Sequence, residues 1–244
     1  MGKEKAYKLV AIQEGISNSQ AKSMIDRGLV YVGNKKVMIA RGEIDDKTMF
    51  RTIKIEKPKI IFENDDILVV DKPAYVNSDE IERMYKNANL LHRLDRETSG
   101  VLMLVKDEDF RQKAIKEFKK DNVYKEYIAW VEGVMSEPHD IDKPILTTKK
   151  NNRATSNVSQ KGKPARTEVF PDIVSGKKTK VKCIIHHGRT HQIRTHLRYI
   201  EHPIVGDEQY GGRRAKRVML HAYKVRLLDM EFTSPEPKAF VHFE

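Results

Sequence analysis

The stretch His92-Arg93-Leu94-Asp95-Arg96-Glu97-Thr98-Ser99-Gly100, with the apolar run Val101 to Val105 directly behind it, restricts this chain more than any other segment. A short continuous apolar run bounded by turn residues predicts a buried strand. Asp95 then lies in a loop at the mouth of a sheet, between two arginines that hold it by charge. Nearby cations favour the ionised carboxylate and lower its pKa. A carboxylate held in that state serves as a nucleophile. The plainer reading is a loop carboxylate that bridges arginines for stability. A second dense polar segment, Gly188-Arg189-Thr190-His191-Gln192-Ile193-Arg194-Thr195-His196, lies far along the chain.

Around these two segments the pattern is of many strands and few helices. Ile60 to Val70 predicts two strands about an acidic turn, and Tyr124 to Val131 a further strand. Asp107 to Asp121 predicts an amphipathic helix, with Phe110, Ala114, Ile115 and Phe118 at helical spacing. Lys149 to Arg166, rich in Lys, Arg, Asn, Ser and Gly, predicts an exposed loop that orders on a partner. The expected class is α+β on a mixed or antiparallel sheet.

Two domains are expected, residues 1–55 and 60–244, joined by an extended linker around Pro58. The first holds eight Lys and three Arg against six acidic residues. In it, Ser19 to Gly28 predicts a helix with Ala21, Met24 and Ile25 on one face, and Gly28 stops it. Leu29 to Val32, Gly33-Asn34 and Lys35 to Val37 predict strand, turn and strand.

The formal net charge of the whole chain is +11. That excess points to a polyanionic partner, nucleic acid first. The single cysteine, Cys183, rules out an internal disulfide framework and suits a reducing compartment. Its place in Val181-Lys182-Cys183-Ile184-Ile185 is that of a buried small hydrophobe. No apolar stretch is long enough to span a membrane, and the start lacks the hydrophobic core of a signal peptide. Met1-Gly2 opens like a myristoylation signal, but Ala6 stands where Ser or Thr is needed. A cytoplasmic protein is expected. It is expected as a monomer, since no apolar stripe exceeds what a core needs.

Four ordered motifs carry a resemblance. They are His92-Arg93-Leu94-Asp95 with Thr98-Ser99-Gly100; Lys125-Glu126-Tyr127-Ile128-Ala129; Gly188-Arg189-Thr190-His191-Gln192-Ile193-Arg194; and Leu220-His221-Ala222. Over roughly residues 60 to 232 the chain resembles the RluA-type pseudouridine synthases, which act on large-subunit ribosomal RNA and some tRNA. Ordered motifs are far more specific than one short pattern. The N-terminal part resembles an S4-type RNA-binding domain through Gly15 to Lys22, Ile25, Gly28, Val30, Val32 and Asn34 to Val37. The resemblance implies structured RNA as partner, ribosomal RNA before tRNA.

It also implies roles. Uridine isomerisation breaks C1′–N1, turns the base and rejoins it through C5, and requires no cofactor. Asp95 would be the nucleophile, by attack on C1′, deprotonation of C2′ or addition to C6; the residues do not choose among these. Arg194 would pair with Asp95, since a guanidinium offers a carboxylate a bidentate fork. Tyr127 would stack on the uracil, or serve simply as a strand tyrosine. Leu220 would be an apolar platform under the base or a core leucine. Arg93 would enter the space vacated by the flipped base. His92 would support the loop, with Arg189, His191 and Gln192 completing the substrate site. Lys22, Arg27, Lys35 and Lys36 would meet RNA phosphates, which position without reading sequence.

His187 and His191 have the spacing of zinc ligands on a helix, but Gly188 interrupts it and no acidic ligand stands near, so no metal is expected. The chain departs from the family pattern at Tyr75, where Lys72-Pro73-Ala74 usually continues with Gly. It also departs in the short hydrophilic stretch Val76 to Leu90, and in the brief tail after Phe232.

Overall fold

The computed structural model describes residues 2–150 and 153–241. Two units divide it, Met1–Glu56 and Lys57–Glu244.

In the first unit, the helices Ala6–Glu14 and Asn18–Asp26 pack on a three-stranded sheet of Val30–Val32, Lys35–Lys36 and Arg51–Thr52. The second helix begins earlier than Ser19. The Ser17 hydroxyl accepts from the Gln20 N–H, and the Gln20 side chain accepts from the Ser17 N–H, a reciprocal cap. The core is Val10, Ala21, Ile25, Val30 and Phe50. The Gln13 amide closes it by donating to Phe50 O and accepting from Phe50 N–H.

The second unit is α+β, centred on a ten-stranded mixed sheet. Its order is His139–Asp142, Arg166–Ser175, Lys178–Ile185, Tyr124–Glu132, Leu220–Leu227, Ser99–Val105, Ile67–Lys72 and Lys59–Glu63. Met230–Thr233 adds beside Leu220–Leu227, and Asn89–Leu90 beside Ser99–Val105. Ser99–Val105 is buried along its whole length, as a strand covered on both faces must be. It pairs parallel with Leu220–Leu227, matching His221 to Ser99 and Ala222 to Gly100. The two backbones approach closely there. Gly100 has φ +116°, and a Cβ on it would overlap the Ala222 carbonyl, so only glycine serves. The parallel pair brings the end of the Asp95 loop beside Leu220.

The helix Glu108–Lys119 is capped by Asp107, whose carboxylate accepts from Phe110 N–H at 2.7 Å. Phe110 and Ala114 bury against Val101, Met103 and Val105. A second core gathers Trp130, Val181, Cys183, Leu197 and Phe240. Among the described residues no helix is long and apolar enough to cross a membrane.

One expectation fails. Much of the stretch expected as an exposed loop, Lys149 to Arg166, forms a hairpin, with Ile145–Lys150 antiparallel to Arg153–Val158. Asn151 and Asn152 lie outside the described residues. Composition misled here because the inward position is polar. Ser156 is fully buried, with its hydroxyl donating to Thr190 O at 2.8 Å and its N–H to the Tyr210 phenol at 2.9 Å. Hydrogen bonds replace the apolar signal that marks a strand.

Candidate active site

The Asp95 loop is pinned on both sides of the carboxylate. The Ser78 hydroxyl accepts from Leu94 N–H at 3.0 Å and donates to Leu94 O at 3.1 Å. Past Asp95, Arg96 O accepts from Tyr75 N–H at 2.6 Å. The Lys72 ammonium, fully buried, reaches Val76 O at 2.8 Å, Pro73 O at 3.0 Å and Arg96 O at 3.4 Å. Burial, helped by the charge of Arg217, pushes Lys72 down to about 7. Tyr75, the departure from the family pattern, has φ +70°, a conformation glycine adopts freely. Its hydroxyl donates to Lys216 O at 2.7 Å.

The neighbouring arginines do not hold Asp95, against the expectation. Arg93 pairs with Asp79 at 2.8 Å and Arg96 with Glu97 at 2.8 Å. Both arginines are committed to other carboxylates, so adjacency in sequence does not make them the partners of Asp95. The groups that face it arrive from the far segment instead. Arg194 Nη1 stands 3.5 Å from Asp95 Oδ2, and His191 Nε2 stands 3.9 Å from Oδ1.

Arg194 projects from the helix Gln192–Tyr199 and is buried. Its bidentate fork goes not to Asp95 but to Asp207, through Nε at 2.7 Å and Nη2 at 2.8 Å. Asp207 is itself buried. Gln209 accepts from Nη2 at 3.3 Å, and the guanidinium lies 4.8 Å over the Tyr210 ring. Among the described residues Nη1 is left buried without a hydrogen-bond partner, facing Asp95 and, at 4.0 Å, Glu97. Burial alone would lower the Arg194 pKa; Asp207, then Asp95 and Glu97, raise it above the ordinary arginine value. Burial likewise opposes ionisation of Glu97, but Arg96 and Arg194 hold its carboxyl below the usual range.

Tyr127 lies on the strand Tyr124–Glu132, opposite Cys183 and Ala222, where a bulge between Glu126 and Tyr127 shifts the register. Bulges re-aim side chains beside functional sites. Burial, and then the Asp95 charge, push its phenol pKa well up. Tyr127, Leu220, Asp95, Arg93, Arg189, His191, Gln192 and Arg194 line one cleft. Glu126 and Ile128 line a separate, larger cavity of about 550 Å³, where Lys180 is already neutralised by Glu236 at 2.5 Å.

This arrangement joins an accessible carboxylate, a locked cation with one spare donor, a protonated phenol and an apolar floor. A family model described as RNA pseudouridylate synthase matches residues 66–199, which hold Asp95, Tyr127 and Arg194. The chain belongs to that family.

Full-length relatives agree. An "uncharacterized RNA pseudouridine synthase" of Helicobacter pylori (strain J99) is 48% identical, covering 97% of this chain and 99% of its own. The "ribosomal large subunit pseudouridine synthase D" of Pasteurella multocida is 30% identical over 92% of this chain and 85% of its own. The solved structure of human RNA pseudouridylate synthase domain containing 1 aligns with TM-score 0.65 and 29% identity, covering 75% of this chain and 84% of that one. The protein is an RNA pseudouridine synthase, an isomerase acting on RNA.

The structure brings most of the sequence-derived candidates into the synthase cleft, but not all. His92 does not line it. It turns inward, accepts from Met103 N–H at 3.2 Å and stacks on Phe118. Burial, then the charge of Lys125, pushes it down to about 4. Gln192 is buried and bridges the loop, donating to Arg166 O and Thr167 Oγ1 and accepting from Arg189 N–H. Arg189 donates to Pro164 O at the rim. The other histidines of the second segment are committed elsewhere: His186 to Glu168, His187 to Arg166 N–H, and His196 to Thr167 and Lys143 O. Among the described residues no group of three or more His, Cys, Asp or Glu is placed to hold a metal.

Sequence reasoning missed Asp207, Tyr210 and Lys72. A signal existed for the first two. Gly206-Asp207-Glu208-Gln209-Tyr210-Gly211-Gly212 sets three glycines around one Asp and one Tyr. Gly206 has φ +85°, and a Cβ there would overlap the Arg217 carbonyl.

Proposed function

We propose that this synthase isomerises one or a few uridines of structured RNA, in large-subunit ribosomal RNA, with Asp95 as the reacting carboxylate. The observation that carries the role of Asp95 is the unpartnered Nη1 of Arg194, buried and aimed at an accessible carboxylate. Breaking C1′–N1 leaves the electron pair on the uracil; joining C1′ to C5 then requires loss of the C5 proton. Asp95 acts at the sugar or the ring. Tyr127, with its proton retained, stacks on the base over Leu220, and Arg93 fills the stack it leaves. The ribosomal assignment is supported by the Pasteurella multocida relative.

The basic N-terminal unit is proposed as an S4-type anchor for RNA. Lys35 is exposed, Arg27 and Lys36 are half-buried, and Lys22 lies 4.3 Å over the Tyr7 ring. Replacing Lys22, Lys35 and Lys36 by Gln should make the dependence of log affinity on log salt shallower, by about 0.7–0.9 for each phosphate that is no longer neutralised. An unchanged slope in a filter-binding titration would remove the unit from RNA binding.

The central test is transcriptome-wide pseudouridine mapping in cells lacking the gene, with the native protein or Asp95→Asn restored. The expected result is a large-subunit site that is lost on deletion and recovered only with the native protein. A lost site in tRNA would reassign the substrate. Recovery with Asp95→Asn would remove Asp95 from the reaction.

A further inference from the structure

The two oxygens of Asp95 face different donors, Oδ2 towards Arg194 Nη1 and Oδ1 towards His191 Nε2. What His191 presents depends on which ring nitrogen carries its proton, and the surrounding bonds decide that. Tyr210 is fully buried. Its phenol oxygen meets the Ser156 backbone nitrogen at 2.9 Å and His191 Nδ1 at 2.7 Å. A backbone N–H only donates, so the phenol accepts there. The phenol proton is then left for His191 Nδ1. Were Nδ1 to donate instead, the phenol proton would be buried with no acceptor among the described residues, which is costly. A neutral imidazole whose Nδ1 accepts carries its proton on Nε2. Burial supports the neutral form, keeping the His191 pKa below the ordinary value although Asp95 works to raise it.

We propose that His191 is a positioning residue for Asp95, locked by Tyr210 as the Nε2–H tautomer so that it steadies Oδ1 while Arg194 faces Oδ2. The proposal rests on the reading of Asp95 as the reacting carboxylate. A line of contacts, Ser156 N–H to Tyr210 to His191 to Asp95, thus connects the Ile145–Val158 hairpin to the reacting group. The present gap of 3.9 Å is longer than a hydrogen bond. Hydrogen bonds of this kind are often long in the free enzyme and tighten on substrate.

The backbone of His191 permits a sharp test, because its φ of +54° lies in the left-handed region. Asn tolerates that region better than Gln does. A merely structural role therefore predicts that His191→Asn is the milder variant. The donor role predicts the reverse, because the Gln amide nitrogen reaches close to the position of Nε2 whereas the Asn nitrogen stops near Nδ1.

Single-turnover pseudouridine formation should be measured with the full-length protein and the RNA found by mapping, beside a filter-binding affinity. His191→Gln should stay within about tenfold of the native rate, and His191→Asn should fall about 100-fold, the loss typical of a removed donor at a reacting centre. Both should bind RNA as the native protein does. An equal or reversed order of rates overturns the proposal.

Nitrogen-15 spectra of histidine-labelled native protein read the tautomer directly. The resonances that vanish in His191→Gln should show Nδ1 bare and Nε2 protonated at neutral pH. An Nδ1–H or cationic ring overturns the proposal. Activity retained in Asp95→Asn would sink the role of Asp95, and with it this role of His191, whichever tautomer the spectra show. An inactive Asp95→Asn with the wrong order of His191 variants would sink only the latter.

Discussion

Arg194 and Arg93 reach the same cleft from regions built in opposite ways. The Arg194 side chain is 3% exposed and two of its nitrogens are held by Asp207, whereas Arg93 is 67% exposed and tied to Asp79. The first region is over-determined, with a helix, a buried carboxylate and the Tyr210 ring all constraining one guanidinium. The second is a rim. A buried, fixed cation stabilises charge in the cleft without rearranging. An exposed one leaves its partner cheaply and is free to enter a nucleic-acid stack. The two jobs proposed for one residue type differ because burial differs.

The strongest way to break this comparison is Arg194→Met. It strands Asp207, which is 1% exposed, as an unpaired buried charge, and should cost about 3–5 kcal/mol of stability as well as activity. Urea denaturation measures it, and a loss below about 1 kcal/mol would mean that the pair behaves like a surface bridge.

Arg93→Ala should do the opposite. Stability should change by less than about 0.5 kcal/mol, as at other exposed pairs. The single-turnover rate at saturating RNA should fall about 100-fold, in the range set by removal of a positioning group. A native rate would end the base-flipping role.

The smallest effect sharpens the contrast within the Asp95 loop itself, between rim and floor. His92 is one residue from Arg93 but half-buried, and His221 is fully buried; both are pushed from 6.5 to about 4, by desolvation first. The folded state thus binds fewer protons than the unfolded chain between those values. The stability contribution is complete above 6.5 and is lost as pH falls towards 4. Each histidine adds at most about 1.4 kcal/mol per pH unit in that window. His92→Gln should make the acid limb of a stability–pH profile shallower by up to that amount, and an unchanged limb would show that His92 is solvated.

Much of this was legible in the chain. The buried strand after Gly100, the helix that starts at Asp107 and the buried place of Cys183 follow from local pattern, the fold class follows from the run of many strands and few helices, and the family resemblance follows from the four ordered motifs. The partners of Asp95 were not legible. Charge neighbours in sequence, Arg93 and Arg96, turn to Asp79 and Glu97. The hairpin through Ser156 was missed because its inward side chain is satisfied by hydrogen bonds rather than by apolar contact.

By itself the sequence determined which residue types are available, where several of the buried strands and amphipathic helices lie, and that the chain resembles the pseudouridine synthases. Those properties depend on periodicity, turn chemistry and motif order, which are local. Tertiary structure alone decided that Arg194 gives its fork to Asp207 and keeps one nitrogen for Asp95, and that Tyr210 meets His191. Such choices are made by distance and desolvation among residues far apart in the chain, and no local pattern encodes either.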